Sequence, residues 1–234
     1  MTTRLGNVLI TGGASGLGLA TVKAVVAHGG KPLVLDVNPL PAELGDDVAY
    51  TQCDLADTGA VDEAVRGLAE QVDGQLDGVF TAAGTDACGK LDDVAVKDWE
   101  RVIHVNLLGT AAVVRSALPY LKVTGGRIVT CASTLGIKAV SDATAYCASK
   151  FGVVGFSRAL AAELAGEVGV TTLIPGGMHT AFFDNRLDQY KPPPDAKLNQ
   201  PENVAETVVF ALCQPPGSEI RELVVCAPTE SSWP

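Results

Sequence analysis

A chain of 234 residues, 47% hydrophobic and 19% charged, is long enough to bury one sizeable core and short for two. Its net charge of -10, with 17 Lys and Arg scattered along the chain, argues against a nucleic-acid or anionic-membrane surface and leaves small uncharged or cationic molecules as fitting partners. The six cysteines show no CxxC or Cys/His ligand spacing, so no metal site is expected and the thiols read as reduced, in a cytoplasmic protein.

In chain order, short apolar runs rich in β-branched residues alternate with helical patterns. NVLIT (7–11) leads into a helix at 16–28, PLVLD (32–36) follows, and VAYTQCD (48–54) precedes a helix at 58–72. DGVFTAAG (77–84) precedes a helix at 98–121, and GRIVTCAS (126–133) precedes one at 142–166. GVTTLIP (169–175), a helix at 201–213 and RELVVCA (221–227) complete the series. The runs are apolar without strict alternation, as in parallel strands covered on both faces. The predicted class is therefore α/β: one domain over 1–234, a doubly wound parallel sheet of about seven strands with helices on both faces. Residues 177–200 break the rhythm with three consecutive prolines and the bulky Phe182, Phe183 and Tyr190, and read as a mobile lid or substrate loop. The N-terminus reaches NVLITGG too soon for a signal peptide, and no apolar run approaches the roughly 20 residues that span a bilayer.

The first strand ends in TGGASGLG (11–18), where Gly12, Gly16 and Gly18 lead into a helix. Glycines let the backbone approach a ligand without a Cβ, and free amides at the helix start face negative charge, so this turn can hold a pyrophosphate. Tight strand-to-helix turns also use glycine for purely local reasons. The second strand ends at Asp36, placed to accept hydrogen bonds from ribose hydroxyls and to repel a 2'-phosphate. No Lys or Arg lies within the glycine turn or just after Asp36, which points to NAD, with NADP the less favoured. Asp54, in CDL, fits either an adenine amino group or a helix cap.

Asn106 interrupts the apolar stretch HVNLLG, and Ser133 ends a strand in TCAS. Each has a plain reading, as a satisfied core amide and as turn chemistry. Tyr146 and Lys150 stand four positions apart in AYCASKFG, which puts both on one helical face.

Taken jointly, TGGASGLG, Asp36, Asn106, Ser133, the YxxxK pair and PGGMHT (175–180) resemble the short-chain dehydrogenase/reductase family, in order and over nearly the whole chain. The resemblance implies a Rossmann fold binding NAD(P) and a catalytic tetrad at Asn106, Ser133, Tyr146 and Lys150. It places the cofactor along Gly12, Ser15, Gly16, Leu17, Gly18 and Asp36, then Cys53, Asp54 and Leu55, then Ala82, Ala83 and Gly84. Tyr146, Lys150, Pro175, Gly176 and Thr180 take the nicotinamide end. One departure is TAAG (81–84), where the family has Asn-Asn-Ala-Gly, so a side-chain brace of the central sheet is in question.

The implied reaction interconverts a secondary alcohol and its ketone. A hydride leaves carbon while a proton leaves oxygen, and a free phenol, with a pKa near 10, is a poor base at neutral pH. The expectation is that Lys150 lowers the Tyr146 pKa and holds the nicotinamide ribose. Ser133 then bonds the reacting oxygen, and Asn106 helps hold a relay water. Helices 98–121 and 142–166 are apolar beyond one sheet-facing stripe, which with the resemblance implies a homo-oligomer, a tetramer or a dimer. A non-catalytic NAD-binding regulator on the same fold is the alternative.

Overall fold

The computed structural model describes residues 5–45 and 48–233. Seven parallel strands form one sheet in the order β3-β2-β1-β4-β5-β6-β7: β1 Asn7–Thr11, β2 Lys31–Asp36, β3 Ala49–Gln52, β4 Gly78–Thr81, β5 Arg127–Cys131, β6 Gly169–Pro175 and β7 Glu222–Val225. Every neighbouring pair is parallel, with Leu9 opposite Leu33 and Val79, and Val129 opposite Phe80 and Thr171. Strands with both faces covered need apolar side chains in both directions, which is why Val8, Leu9, Ile10, Leu33, Val34 and Leu35 are all buried.

On one face α1 (Gly16–Ala27) and α6 (Pro201–Leu212) bury Val22, Val25, Val204 and Val208 against Ile10, Phe80 and Leu173. On the other, α2 (Thr58–Glu70), α4 (Thr110–Thr124) and α5 (Thr144–Glu163) bury Val61, Leu68, Val113, Ala117, Leu121 and Leu160 against Leu9, Val79 and Ile128. Asp57 starts α2, its carboxylate accepting from the Gly59 and Ala60 amides at 3.1 Å. Gly125, at φ 64°, ends α4 in the left-handed conformation that glycine takes without strain.

The helix expected at 98–121 is longer and broken in register. It runs as α3 (Val96–Ile103), a wider π-type turn at His104–Gly109, and α4. Gly109 lets that turn pack close against Leu55, whose backbone oxygen would lie 2.8 Å from a Cβ there. The whole stretch Val96–Thr124 is, by length and composition alone, long and apolar enough to cross a membrane, a test that the core helix of a soluble protein also passes, and 44% of its most apolar window is buried inside the protein. The strands at 48–54, 77–84, 126–133 and 221–227 are each shorter than expected, and the last residues of the first three border the cleft instead.

Strand order reverses between β1 and β4, so the connections after these strands diverge and leave a crevice at the carboxyl edge. Residues 177–200 lie beside it. They hold two short 3-10 turns, Ala181–Phe183 and Asp188–Tyr190, and are closed at the base by a bridge from Met178 to Asn199.

Candidate active site

The crevice is a cleft of about 950 Å³. At the first turn Gly12 has φ 72° and Gly16 has φ 52°, conformations open to glycine. A Cβ on Gly18 would lie 2.0 Å from the Gly12 carbonyl oxygen, so α1 starts tight against the turn only because Gly18 has none. The Gly16 backbone also approaches Thr180, whose methyl would stand 3.4 Å from a Cβ there. The glycine turn and the PGGMHT segment therefore face each other across the cleft.

Asp36 is buried, yet its carboxylate borders the cleft. One oxygen accepts from the Ala14 amide at 2.9 Å and the other from the Asn38 amide at 2.8 Å, which orients both toward the space beyond β2. Asp54 borders the cleft too, but its carboxylate is held by Arg101, with contacts of 3.0 and 3.3 Å, and accepts from the Ala56 amide. The helix cap considered for Asp54 belongs instead to Asp57. Arg101 had no signal in the sequence, because the ion pair joins residues 47 positions apart.

Ser133, Tyr146 and Lys150 meet at the carboxyl edge of β5. Ser133 caps a short 3-10 turn by accepting from the Leu135 amide at 3.1 Å. Lys150 is buried; its Nζ donates to the Cys131 carbonyl at 2.8 Å and lies 5.6 Å from the centre of the Tyr146 ring. Burial pushes the Lys150 pKa down, opposed by Cys131 and Asp86. The Tyr146 phenol is pushed up, by burial first and by Cys131 next, while a hydrogen bond with Ser133 and the charge of Arg186 pull it down. Desolvation is the largest of these effects, so the phenol stands above its ordinary value rather than below it as expected.

Asn106 sits at the centre of the wide turn, 1% exposed. Its Oδ1 accepts from the Thr85 amide at 2.8 Å, and its Nδ2 donates to the Thr85 carbonyl at 2.9 Å and to Ser149 Oγ at 3.0 Å. It is a brace, locking the loop after β4 to α5 one residue from Lys150. The π-type turn is what lets an amide inside an apolar helix reach sideways to both.

TAAG keeps one tie and lacks another. Thr11 Oγ1 accepts from the Ala83 amide at 3.1 Å, joining β1 to the loop after β4, whereas the buried Thr81 hydroxyl has no partner. Ala82, Ala83 and Gly84 border the cleft as expected, and so do Ser15, Leu17, Cys53, Leu55, Pro175, Gly176 and Thr180.

Two further parts of the site gave no signal in the sequence. Glu230 accepts from the Gly177 amide at 2.8 Å, and Ser232 shares a 2.6 Å hydrogen bond with Thr134, so the C-terminal tail forms a wall of the cleft. Arg186, which borders the cleft, pairs with Asp86 of the loop after β4.

A glycine turn under a helix start, an acidic strand end and a Ser-Tyr-Lys group along the same carboxyl edge of the sheet define a nicotinamide-dependent oxidoreductase of the Rossmann type. The chain belongs to the short-chain dehydrogenase family, whose model matches residues 6–191. It is 31% identical to the short-chain dehydrogenase/reductase olcF of Penicillium canescens, over 97% of this chain and 95% of that one. It is 34% identical to the D-threitol dehydrogenase of Mycolicibacterium smegmatis, over 86% and 84%. Among solved structures it resembles levodione reductase at TM-score 0.84 and 26% identity, covering 96% and 97%. It also resembles an actinorhodin polyketide ketoreductase bound to NADPH at 0.83 and 28%, covering 97% and 98%.

Proposed function

We propose that the protein is an NAD-dependent oxidoreductase that interconverts a secondary alcohol and its ketone, with Tyr146 as the proton-transfer group. The observation that carries this reading is that Tyr146, Ser133 and Lys150 line one end of a cleft whose other end is a glycine turn and an oriented acid.

The residues present fit a nicotinamide dinucleotide. The amides at the start of α1 face a pyrophosphate. The Asp36 carboxylate, fixed by Ala14 and Asn38, takes two ribose hydroxyls and disfavours a phosphate in their place. A bound nicotinamide exchanges a hydride with the substrate carbon. Lys150 keeps two N–H groups beyond its bond to Cys131 for the ribose. Ser133 bonds the reacting oxygen and Tyr146 moves its proton. With its pKa raised, the phenol is protonated at neutral pH and present as the acid for a carbonyl; the oxidative direction requires the phenolate and therefore quickens as pH rises.

The test is absorbance at 340 nm with a panel of alcohols and ketones, alongside titration of NAD and NADP. Turnover with NAD supports the reading. Tight nucleotide binding without turnover on any member of the panel would favour the regulator instead.

The same reading includes a homo-oligomer, a tetramer or a dimer, supported by the exposed Leu108 and Phe151 on the outer face of the π-type turn and α5. A 24 kDa species in light scattering at micromolar concentration would overturn it. A cytoplasmic location is supported by six free cysteines, and cell fractionation tests it.

A further inference from the structure

The mouth of the cleft nearest Tyr146 is held by side chains that none of the expected roles uses. Asp86, in the loop after β4, and Arg186, in the loop after β6, stand 100 positions apart and form an ion pair whose side chains are 6% and 18% exposed. Asp86 is fixed by its own loop: Oδ1 accepts from the Ala87 amide at 2.7 Å, and Oδ2 accepts from the Cys88 thiol at 3.1 Å. Arg186 is held from several sides. Its Nη1 donates to the Tyr190 carbonyl at 3.2 Å, and its guanidinium carbon lies 4.6 Å from the Phe183 ring centre and 5.2 Å from that of Phe182. Phe182 in turn packs on Tyr146, their ring centres 5.7 Å apart.

We propose that Asp86 and Arg186 are positioning residues for the reaction: a latch that seats Phe182 on Tyr146 and closes the 181–198 loop over the substrate. This rests on Tyr146 as the proton-transfer group. The geometry shows why the latch both holds and releases. A guanidinium that donates to a carboxylate and a carbonyl and lies against two aromatic rings is restrained on several sides. Its Nε–H, however, is buried without a partner, and opening the loop returns that group to water. Closure is therefore opposed by a built-in desolvation term, and the loop can part to admit substrate.

The latch also leaves an electrostatic mark. The groups acting on the Tyr146 phenol are Cys131 and Ser133 from β5 and its edge, Asp86 and Arg186, with Lys150 on the same helix. Asp86 raises the phenol pKa and Arg186 lowers it. Removing either half opens the same loop, yet moves the proton-transfer group in opposite directions.

The experiment uses the full chain and the variants Asp86→Asn, Arg186→Met and Arg186→Lys, each checked for NAD affinity within about twofold of wild type. Chymotrypsin reports loop opening by cleavage after Phe182 and Phe183. The expected result is cleavage at least tenfold faster in Asp86→Asn and Arg186→Met, with most of the protection restored in Arg186→Lys, which keeps the charge. On an alcohol that the wild type turns over, KM rises more than kcat falls. The oxidative rate reaches its plateau at lower pH in Asp86→Asn and at higher pH in Arg186→Met. Unchanged cleavage in both variants overturns the latch while normal turnover leaves the oxidoreductase standing. Faster cleavage with pH profiles that move together, or not at all, overturns the positioning role. Absence of turnover in the wild type removes the oxidoreductase reading and the role in the reaction with it, while cleavage still decides whether the pair holds the loop.

Discussion

The two ends of the cleft are built in different ways. The nucleotide end is local and made of backbone: Gly12, Gly16 and Gly18 lie within one turn, and Asp36 is oriented by amides 22 and 2 positions away. The substrate end is long-range and made of side chains: Arg186 meets Asp86 across 100 positions, and Glu230 meets Gly177 across 53. A local backbone turn has one geometry dictated by its own residues. A wall of side chains drawn from three distant segments can be redrawn by changing any of them, which is how one fold serves different substrates.

The largest effect should come where the two ends meet. Tyr146→Phe is expected to keep nucleotide affinity while losing about two to three orders of magnitude in kcat, the scale of a general acid or base. Near-normal turnover would separate the tyrosine from the chemistry. Next comes the local end: Gly18→Ala drives a Cβ into the Gly12 carbonyl, a backbone atom that cannot swing aside. Nucleotide affinity should fall at least tenfold by titration, and unchanged affinity would mean that the turn is not a binding element. Asp36→Ala should be milder and more selective. The wild-type preference for NAD over NADP is expected to be about tenfold, about 1.4 kcal/mol, and the variant should lose most of it. Equal dissociation constants in the wild type would remove the role given to this carboxylate.

The smallest effect tests the sheet between the two ends. Thr81 buries a hydroxyl without a partner beside the two alanines of TAAG. Thr81→Val replaces that group with a methyl of similar shape and should raise stability by about 1 kcal/mol in urea unfolding, with nucleotide binding unchanged. A loss of similar size would show that the hydroxyl is satisfied after all.

The pH profile sharpens the comparison further, because the phenol belongs to both ends. Burial holds its pKa up, so ketone reduction should be nearly flat through neutral pH while alcohol oxidation rises with pH. Ser133→Ala removes a hydrogen bond that favours the phenolate and should push the oxidative rise to still higher pH. A shift downward would reverse the assignment of that bond.

The sequence by itself determined the order of strands and helices, the glycine turn, the acidic end of β2 and the meeting of Tyr146 with Lys150. Each of these is written in periodicity or in a spacing of a few residues, where chain geometry leaves little freedom. It also marked Asn106 as out of place without showing what the amide does. Only the tertiary structure decided that, by bringing Thr85 and Ser149 to it through a widened helical turn. Only the tertiary structure decided that Asp54 answers to Arg101, that burial outweighs the groups lowering the phenol pKa, and that the tail carrying Glu230 and Ser232 walls the cleft. Ion pairs, desolvation and side-chain walls depend on which distant segments the packed core sets side by side, and no local pattern in the chain encodes that.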